Sequence, residues 1–514
     1  MAKKFYITTA IAYMNAWPHA WHALEIIQAD ALARMYRFLG YDVIFQTWSD
    51  EHWVKIWNAA KNANTEVNEF VRKNLWLFKE LYSNLRVSYD RFVQTSDEVN
   101  HYPGAQLMWK KLVEAWDIYK KSYKWLYCEG CEALKLEKDL VDWRCPDHPN
   151  KELQYIEEEN YFFKLSKYRD QVAELIRNWT YIVEPEIRKN EILQFLEKAE
   201  DVSFSRQKAK MPWGIPVPWD DEHVMYVWCD ALTNYITGTG FWRTEDWDKE
   251  WPADIHVIWK DILRFHAAFW PAMLISAKLP LPKKLLVHGF LNLNWAKMSK
   301  STGNVMDPKE VVEQYWRDPF VFNLLYDVSL NSDWDFSMER LNWVYNSMLI
   351  WAWGNLVNRV VSLCNKYWIT EWKADWEIVE EFQKFYDTIE SRFIQFSDIQ
   401  GYLQEWYRFV QKANEFITNA EPWKKWKDES TKQEAVKDLQ MLLYIIKNLS
   451  ILSAPVLVDG FEKLKNILWI EELKNISTDK NWLKEEIKKA FDLKEFKVNL
   501  APEILYARIE ENNE

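Results

Sequence analysis

The sequence predicts an α/β protein: a parallel sheet split by an insertion and followed by an α-helical bundle. Three observations carry this. Strand-like and helix-like segments alternate over the first 60 residues, strand patterns return near residues 255 and 284, and the pattern from about 340 to 465 is nearly all helical. Strands alternating with helices argue for βαβ units and a parallel sheet.

Taken in order, residues 4–9 are apolar and β-rich, and Asn15 and Pro18 then mark a turn. Residues 22–39 have helical periodicity, 41–47 read as a second strand, and 66–85 as another helix. Residues 122–165 change character, with cysteines, short β-like pieces and turns. Residues 224–229, 255–258 and 284–288 read as strands, so the sheet resumes after an insertion. Residues 343–361 and 435–452 are long amphipathic stretches. No internal repeat or low-complexity linker interrupts the chain.

The 514 residues are 48% hydrophobic and 28% charged, with a mean hydropathy of −0.42. This is globular composition, enough for two to four domains at about 100–200 residues each. No apolar run reaches the length of a membrane span, and the start lacks a signal-peptide pattern. Five cysteines exclude a disulfide scaffold and suit a reducing, cytoplasmic setting. With a net charge of −12, any nucleic-acid contact must use a local basic surface.

One ratio is abnormal: 11 glycines against 33 tryptophans. At a usage of roughly 7% a chain this long carries about 36 glycines, and moving about 25 tryptophans to glycine would restore both counts. A gene that uses UGA for glycine, read by a rule that takes UGA as tryptophan, gives this result. The other reading is a chain truly rich in tryptophan. The two differ physically, because an indole stands wherever glycine serves for positive φ or close backbone approach.

Two short motifs bear on chemistry. His19-Ala20-Trp21-His22 falls between the first strand and its helix, and Lys297-Met298-Ser299-Lys300-Ser301 lies much later. Alone, a His-x-x-His is usually incidental and a lysine pair beside serine is usually a solvated loop. Together, flanking a βαβ unit, they resemble the His-Ile-Gly-His and Lys-Met-Ser-Lys-Ser signatures of class I aminoacyl-tRNA synthetases. The chemistry fits. Adenylation needs reactants positioned and spreading negative charge stabilised, which imidazoles at a helix N-terminus and lysines on a loop can do.

The resemblance extends over nearly the whole chain, to the methionyl-tRNA synthetase family. Thr47-Trp48-Ser49-Asp50-Glu51-His52-Trp53 looks like that family's Thr-Gly-Thr-Asp-Glu-His-Gly. Trp213-Gly214-Ile215-Pro216-Val217-Pro218 and Tyr226-Val227-Trp228-Cys229-Asp230-Ala231 match with their tryptophans in place, while residues 256–266 and 332–336 match except at Trp259 and Trp334. On this resemblance Trp17, Trp21, Trp48, Trp53, Trp116, Trp125, Trp143, Trp219, Trp259, Trp295, Trp334 and Trp469 occupy glycine or turn positions. Trp109, Trp213, Trp228, Trp251, Trp270 and Trp423 look authentic.

The resemblance implies a Rossmann-type nucleotide-binding sheet split by a zinc-knuckle insertion, then a helical anticodon-binding domain. The implied boundaries are 1–115 and 226–295 for the two catalytic halves, 116–225 for the insertion, 296–345 for the lysine-motif and stem-contact region, and 346–514 for the helical domain. His19, His22, Lys297 and Lys300 would act on ATP·Mg²⁺, with Lys260, Asp261, His288 and Gly289 also at the nucleotide. Asp50 would hold the methionine ammonium. Ile11, Tyr13, Trp228, Ala231, Leu232, Tyr235, Ile262, Phe265, His266 and Trp270 would surround its side chain. An aromatic set suits a thioether, although plain core packing explains Ile262 and Phe265 equally well. Asn355, Arg359 and Trp423 would read the anticodon of initiator and elongator tRNA(Met). No membrane contact and a monomeric state are expected.

Cys128-x2-Cys131 and Cys145-x2-His148 lie thirteen residues apart. Three of five cysteines within 18 residues suit a closed tetrahedral zinc site with a structural role; free thiols are the alternative. The activity implied is ATP-dependent formation of methionyl-adenylate and transfer to tRNA. Two other readings stand beside it: a catalytically silent tRNA-binding protein, if Trp21, Trp48 and Trp259 are physically present, or another class I synthetase.

Overall fold

The computed structural model describes residues 3–14, 17–129, 133–135, 140–146, 148–293, 296–297, 306–373, 376–478, 484–491, 493, 495–498, 500 and 503–508. Its centre is a seven-stranded, wholly parallel sheet. In chain order the strands are β1 (Lys4–Thr8), β2 (Ala12–Tyr13), β3 (Asp42–Asp50), β4 (Arg91–Gln94), β5 (Ile182–Glu184), β6 (Ile255–Trp259) and β7 (Lys284–His288). The spatial order is β2-β3-β1-β6-β7-β5, with β4 also paired to β3.

Both faces of the sheet are covered, which is why its strands read as nearly unbroken apolar runs. Side chains alternate between two cores. Phe5, Ile7, Ile255, Val257 and Leu286 enter one core, and Tyr6, Ile258, Leu285 and Val287 enter the other. The first core continues through the helix Ala20–Phe38 into the C-terminal helices. A buried ion network joins these layers. Asp30 accepts from Arg34 Nε at 2.8 Å and from Ser88 Oγ at 2.6 Å, and Arg317 lies 3.8 Å away. Arg317 in turn donates to the carbonyls of Leu85 (2.7 Å) and Val456 (2.6 Å).

Sequence expectation and structure differ in three places. Residues 224–229 do not form a strand of the main sheet. The strand Asp220–Met225 belongs to a small antiparallel sheet, and Trp228 and Cys229 lie on the buried helix Val227–Thr237. A short apolar run does not by itself distinguish a buried strand from a buried helix. Strand β5 lies within the stretch assigned to the insertion, yet pairs with β7 as the far edge of the main sheet (Lys284↔Ile182 to Leu286↔Glu184). The amphipathic run 343–361 is π-helical over Val344–Gly354 before the helix Asn355–Lys366 begins. The other described strands of the insertion are antiparallel, built on Ile118–Cys128 paired with Gln154–Phe163, and the helices Leu165–Arg177 and Glu186–Glu197 lie among them in sequence.

Candidate active site

Ligands of open parallel sheets bind beyond the carboxyl ends of the strands, and most of the singled-out residues gather there. Asp50 closes β3, Trp259 closes β6 and His288 closes β7, with Trp259 and His288 paired in register. Strand β2 brings Tyr13 into register with Asp50, which is fully buried. Ile11 is buried just before β2.

His19 is the residue preceding the helix Ala20–Phe38, with extended backbone. Its amide donates to His22 Nδ1 at 3.3 Å, and the two ring centres are 4.2 Å apart. Accepting at Nδ1 leaves the proton of neutral His22 on Nε2. Both imidazoles therefore stand at the positive end of the longest helix against the sheet, where anions are favoured.

Trp228 and Phe265 form an apolar wall, stacked with ring centres 3.7 Å apart. Tyr13 meets Trp228 edge-on at 6.4 Å. Ala231, Leu232, Tyr235, Ile262 and Trp270 are buried in the same cluster. His266 lies beneath it: Nδ1 is 3.0 Å from the Ile262 carbonyl and Nε2 is 2.7 Å from the Tyr235 hydroxyl. Donation from Nδ1 makes Nε2 the acceptor of the tyrosine proton. Burial pushes the His266 imidazole down to about 4, so it is neutral at ordinary pH.

Lys260 and Asp261 follow β6. Lys260 Nζ is paired with both carboxylate oxygens of Asp333, at 2.7 and 2.8 Å, and Asp333 also accepts from the Phe290 amide at 2.9 Å. Burial raises the Asp333 carboxyl, but the Lys260 hydrogen bond and the Phe290 amide outweigh it, so the group sits below the usual range. Asp261 is exposed. The ring of His288 is engaged inside the protein: Nδ1 is 2.8 Å from the Gly289 carbonyl and Nε2 is 3.7 Å from Glu25. A Cβ on Gly289 would come within 2.5 Å of the Ser332 carbonyl oxygen, so only glycine fits there.

The sequence reading missed a buried polar network behind this wall. Asp230 Oδ2 is 2.6 Å from His52 Nδ1, and Asp230 Oδ1 is 2.6 Å from His101 Nε2. His52 Nε2 reaches the Tyr102 hydroxyl at 3.0 Å, and His101 Nδ1 reaches Thr237 Oγ1 at 2.8 Å. Burial raises the Asp230 carboxyl, but the two imidazoles outweigh it and hold it below the ordinary range. No local pattern marks His101; only the fold brings it to Asp230.

Away from the sheet, Cys128 Sγ, Cys145 Sγ and a His148 ring nitrogen all lie within 4.8 Å of one another. Two thiols and an imidazole so gathered are a zinc-type donor set. Cys131 lies outside the described residues, as do Trp295, Lys300 and the motif residues 298–301. Lys297 is described through its backbone, in the strand Ala296–Lys297 paired with Leu291–Leu293. In the helical region Arg359 lies 5.5 Å from the centre of the Trp423 ring, and both line an open hollow with Asn358, Ser362 and Leu363. Asn355 is half-buried one turn earlier on the same helix.

The chain is similar over most of its length to known proteins. Residues 5–155 and 136–361 match the family described as tRNA synthetases class I (M), and residues 378–514 match the anticodon binding domain of methionyl tRNA ligase. The methionine–tRNA ligase of Thermotoga maritima is 37% identical, covering 96% of this chain and 81% of that one. The methionine–tRNA ligase of Brucella melitensis biotype 1 is also 37% identical, covering 91% and 92%. The Mycobacterium tuberculosis methionyl-tRNA synthetase in complex with methionyl-adenylate superposes with a TM-score of 0.90 at 32% identity, covering 98% of this chain and 100% of that one.

Proposed function

The chain belongs to the methionyl-tRNA synthetase family of class I, and from that premise we propose that it is the methionine–tRNA ligase of its cell, using the residues gathered at the sheet's carboxyl edge. The likeness over nearly the full length to a structure holding methionyl-adenylate is the observation that carries this reading.

The methionine carboxylate attacks the α-phosphorus of ATP, the bond to the β-phosphate oxygen breaks, and pyrophosphate leaves with magnesium. The hydroxyl of the tRNA's terminal adenosine then attacks the acyl carbon, and AMP departs. Asp50 holds the ammonium at the end of β3. Tyr13, Trp228 and Phe265 enclose the thioether, backed by Ile11, Ala231, Leu232, Tyr235, Ile262, His266 and Trp270. The neutral state of His266 suits contact with an uncharged sulfur. His19 and His22 donate toward phosphate oxygens from the helix N-terminus, and Lys297 and Lys300 clamp the departing pyrophosphate.

Lys260, oriented by Asp333, lies on the nucleotide side with Asp261 and the backbone of Gly289. The buried engagement of His288 favours a role in shaping that strand end over direct contact. Cys128, Cys131, Cys145 and His148 would hold a structural zinc, which would fix the Cys128 end of the strand Ile118–Cys128. Arg359 and Trp423 supply stacking faces for unpaired anticodon bases, with Asn355 nearby. The enzyme serves initiator and elongator tRNA(Met), acts as a monomer, and works in the cytoplasm.

ATP–pyrophosphate exchange tests the substrate. It should depend on methionine and be negligible with leucine; equal exchange with both removes the specificity claim.

A further inference from the structure

We propose that the protein the cell makes carries glycine at Trp116, Trp143, Trp179, Trp219, Trp316, Trp368 and Trp469, and by the same rule at Trp21, Trp53 and Trp259. The first seven are argued from backbone geometry alone. The last three rest also on the ligase reading.

Thirteen non-glycine residues among those described have positive φ, and seven of them are tryptophans. The chain has 33 tryptophans. All other non-glycine residues together supply six such positions: Asn64, Arg86, Asp142, Lys278, Ser397 and Glu421. Bulky side chains avoid this region because their Cβ crowds the backbone. An enrichment in tryptophan for packing or stacking would not place it there.

Five of the seven turns also have the form that glycine serves. After the helix Tyr102–Glu114, the Trp116 amide donates to the Val113 carbonyl and the Asp117 amide to the Leu112 carbonyl. After the helix Asn355–Lys366, Trp368 and Ile369 bond back to Asn365 and Cys364 in the same way. This paired closure wants a left-handed residue, usually glycine, just past the helix. The first helix, Ala20–Phe38, ends in the same closure with a true glycine: Gly40 bonds to Arg37 and Tyr41 to Tyr36, at φ +83°.

Asp142 and Trp143 are the two central residues of a tight turn whose ends, Val141 and Arg144, bond each other, and both have positive φ. That is the Asp-Gly hairpin turn. Pro218-Trp219 links Val217 to its partner Asp220 with positive φ at the second position, where a Pro-Gly turn has glycine. Trp316 has φ 64° and ψ 177°, a region that is essentially glycine-only.

The seven turn positions also lie at the surface. All seven rings are exposed, up to 83% at Trp116 and 86% at Trp368. Of the six tryptophans that the family resemblance marks as authentic, Trp109, Trp228, Trp251 and Trp270 are at most 3% exposed and Trp213 and Trp423 are half-buried, and none has positive φ.

At the sheet's edge the extra rings stand on the site. Trp53 stacks on Tyr13 at 4.1 Å, and Trp259 meets the same ring at 6.0 Å. Trp21 lies between His19 (5.4 Å) and Phe290 (4.6 Å), at the helix N-terminus where phosphates would bind. Glycine at these three positions bares Tyr13 and the helix N-terminus. A single rule produces all ten substitutions: UGA means glycine in this gene and has been read as tryptophan, while UGG positions remain true tryptophan.

Peptide mass mapping of the protein purified from its own cells decides the matter, with the gene's codons read alongside. Glycine is expected at all ten positions, encoded by UGA, and tryptophan at Trp109, Trp228 and Trp270, encoded by UGG. Tryptophan at any of the seven positive-φ positions overturns the proposal. A second measurement separates it from the ligase reading. A synthetic chain carrying W21G, W48G, W53G and W259G with the seven turn substitutions is expected to catalyse methionine-dependent pyrophosphate exchange at least a hundredfold faster than the chain with tryptophan throughout; Trp48, also at a glycine position by the family resemblance, is fully buried against Tyr235. Equal rates overturn the open-site part. Glycine in the peptides with no exchange by the glycine chain sinks the ligase reading and leaves the glycine assignment standing.

Discussion

Trp228 and Phe265 lie face to face, with ring centres 3.7 Å apart and planes within 8° of parallel, although 37 residues separate them in sequence. One ring comes from the helix Val227–Thr237 and the other from the π-helical turn Phe265–Phe269, so the wall exists only when both helices pack behind the sheet.

That wall should set methionine affinity. Trp228→Ala is expected to raise KM for methionine in pyrophosphate exchange by about tenfold, equivalent to about 1.4 kcal/mol of lost contact. KM for ATP should change little, and Trp228→Phe should recover most of the loss. A KM for methionine unchanged by the alanine variant would remove Trp228 from the binding site.

The network behind the wall should govern stability. Asp230→Asn replaces the carboxylate to which both buried imidazoles are hydrogen-bonded, and a hydrogen bond to a charged group is worth about 1.5–3 kcal/mol. Denaturant unfolding is the measurement. A midpoint equal to that of the parent would show that the network contributes nothing.

His266 sets a pH dependence. Its folded value is about 4, against about 6.5 in an unfolded chain. The unfolded state therefore binds the extra proton between these values. The stabilisation is fully present above pH 6.5 and is lost as pH falls toward 4. Unfolding at pH 5 should show about 2 kcal/mol less of this contribution than at pH 7.5, and His266→Gln should flatten that part of the profile. An identical pH slope in the variant would refute it.

The Cys128, Cys145 and His148 cluster should hold one zinc per chain with Cys131. Chelation, or Cys145→Ser, should release the metal and speed amide exchange in the hairpin built on Ile118–Cys128 and Gln154–Phe163, while the parallel sheet stays protected. Protein that contains no zinc after purification in zinc-replete buffer would count against the site.

Arg359 and Trp423 should act on tRNA alone. Trp423→Ala is expected to lower kcat/KM for tRNA(Met) by about tenfold to a hundredfold, since stacking on one base is worth about 1–3 kcal/mol. Pyrophosphate exchange without tRNA should be unaffected. A loss of exchange equal to the loss of charging would mean that the variant had disturbed the fold.

Much of this protein is written locally. The apolar runs of β1, β6 and β7, the histidine pair at a helix start and the Cys/His spacing are all short-range patterns, so the parallel sheet, the helical second half and the chemistry to look for could be read without a structure. The tertiary structure decided the rest. It placed Trp228 on a helix, carried Ile182–Glu184 across to the edge of the sheet, joined His101 to Asp230, and turned the ring of His288 inward against Glu25. These outcomes depend on which surfaces are left to cover and which buried polar groups still need partners once the sheet has formed. Both are properties of the packed chain, and no window of sequence contains them.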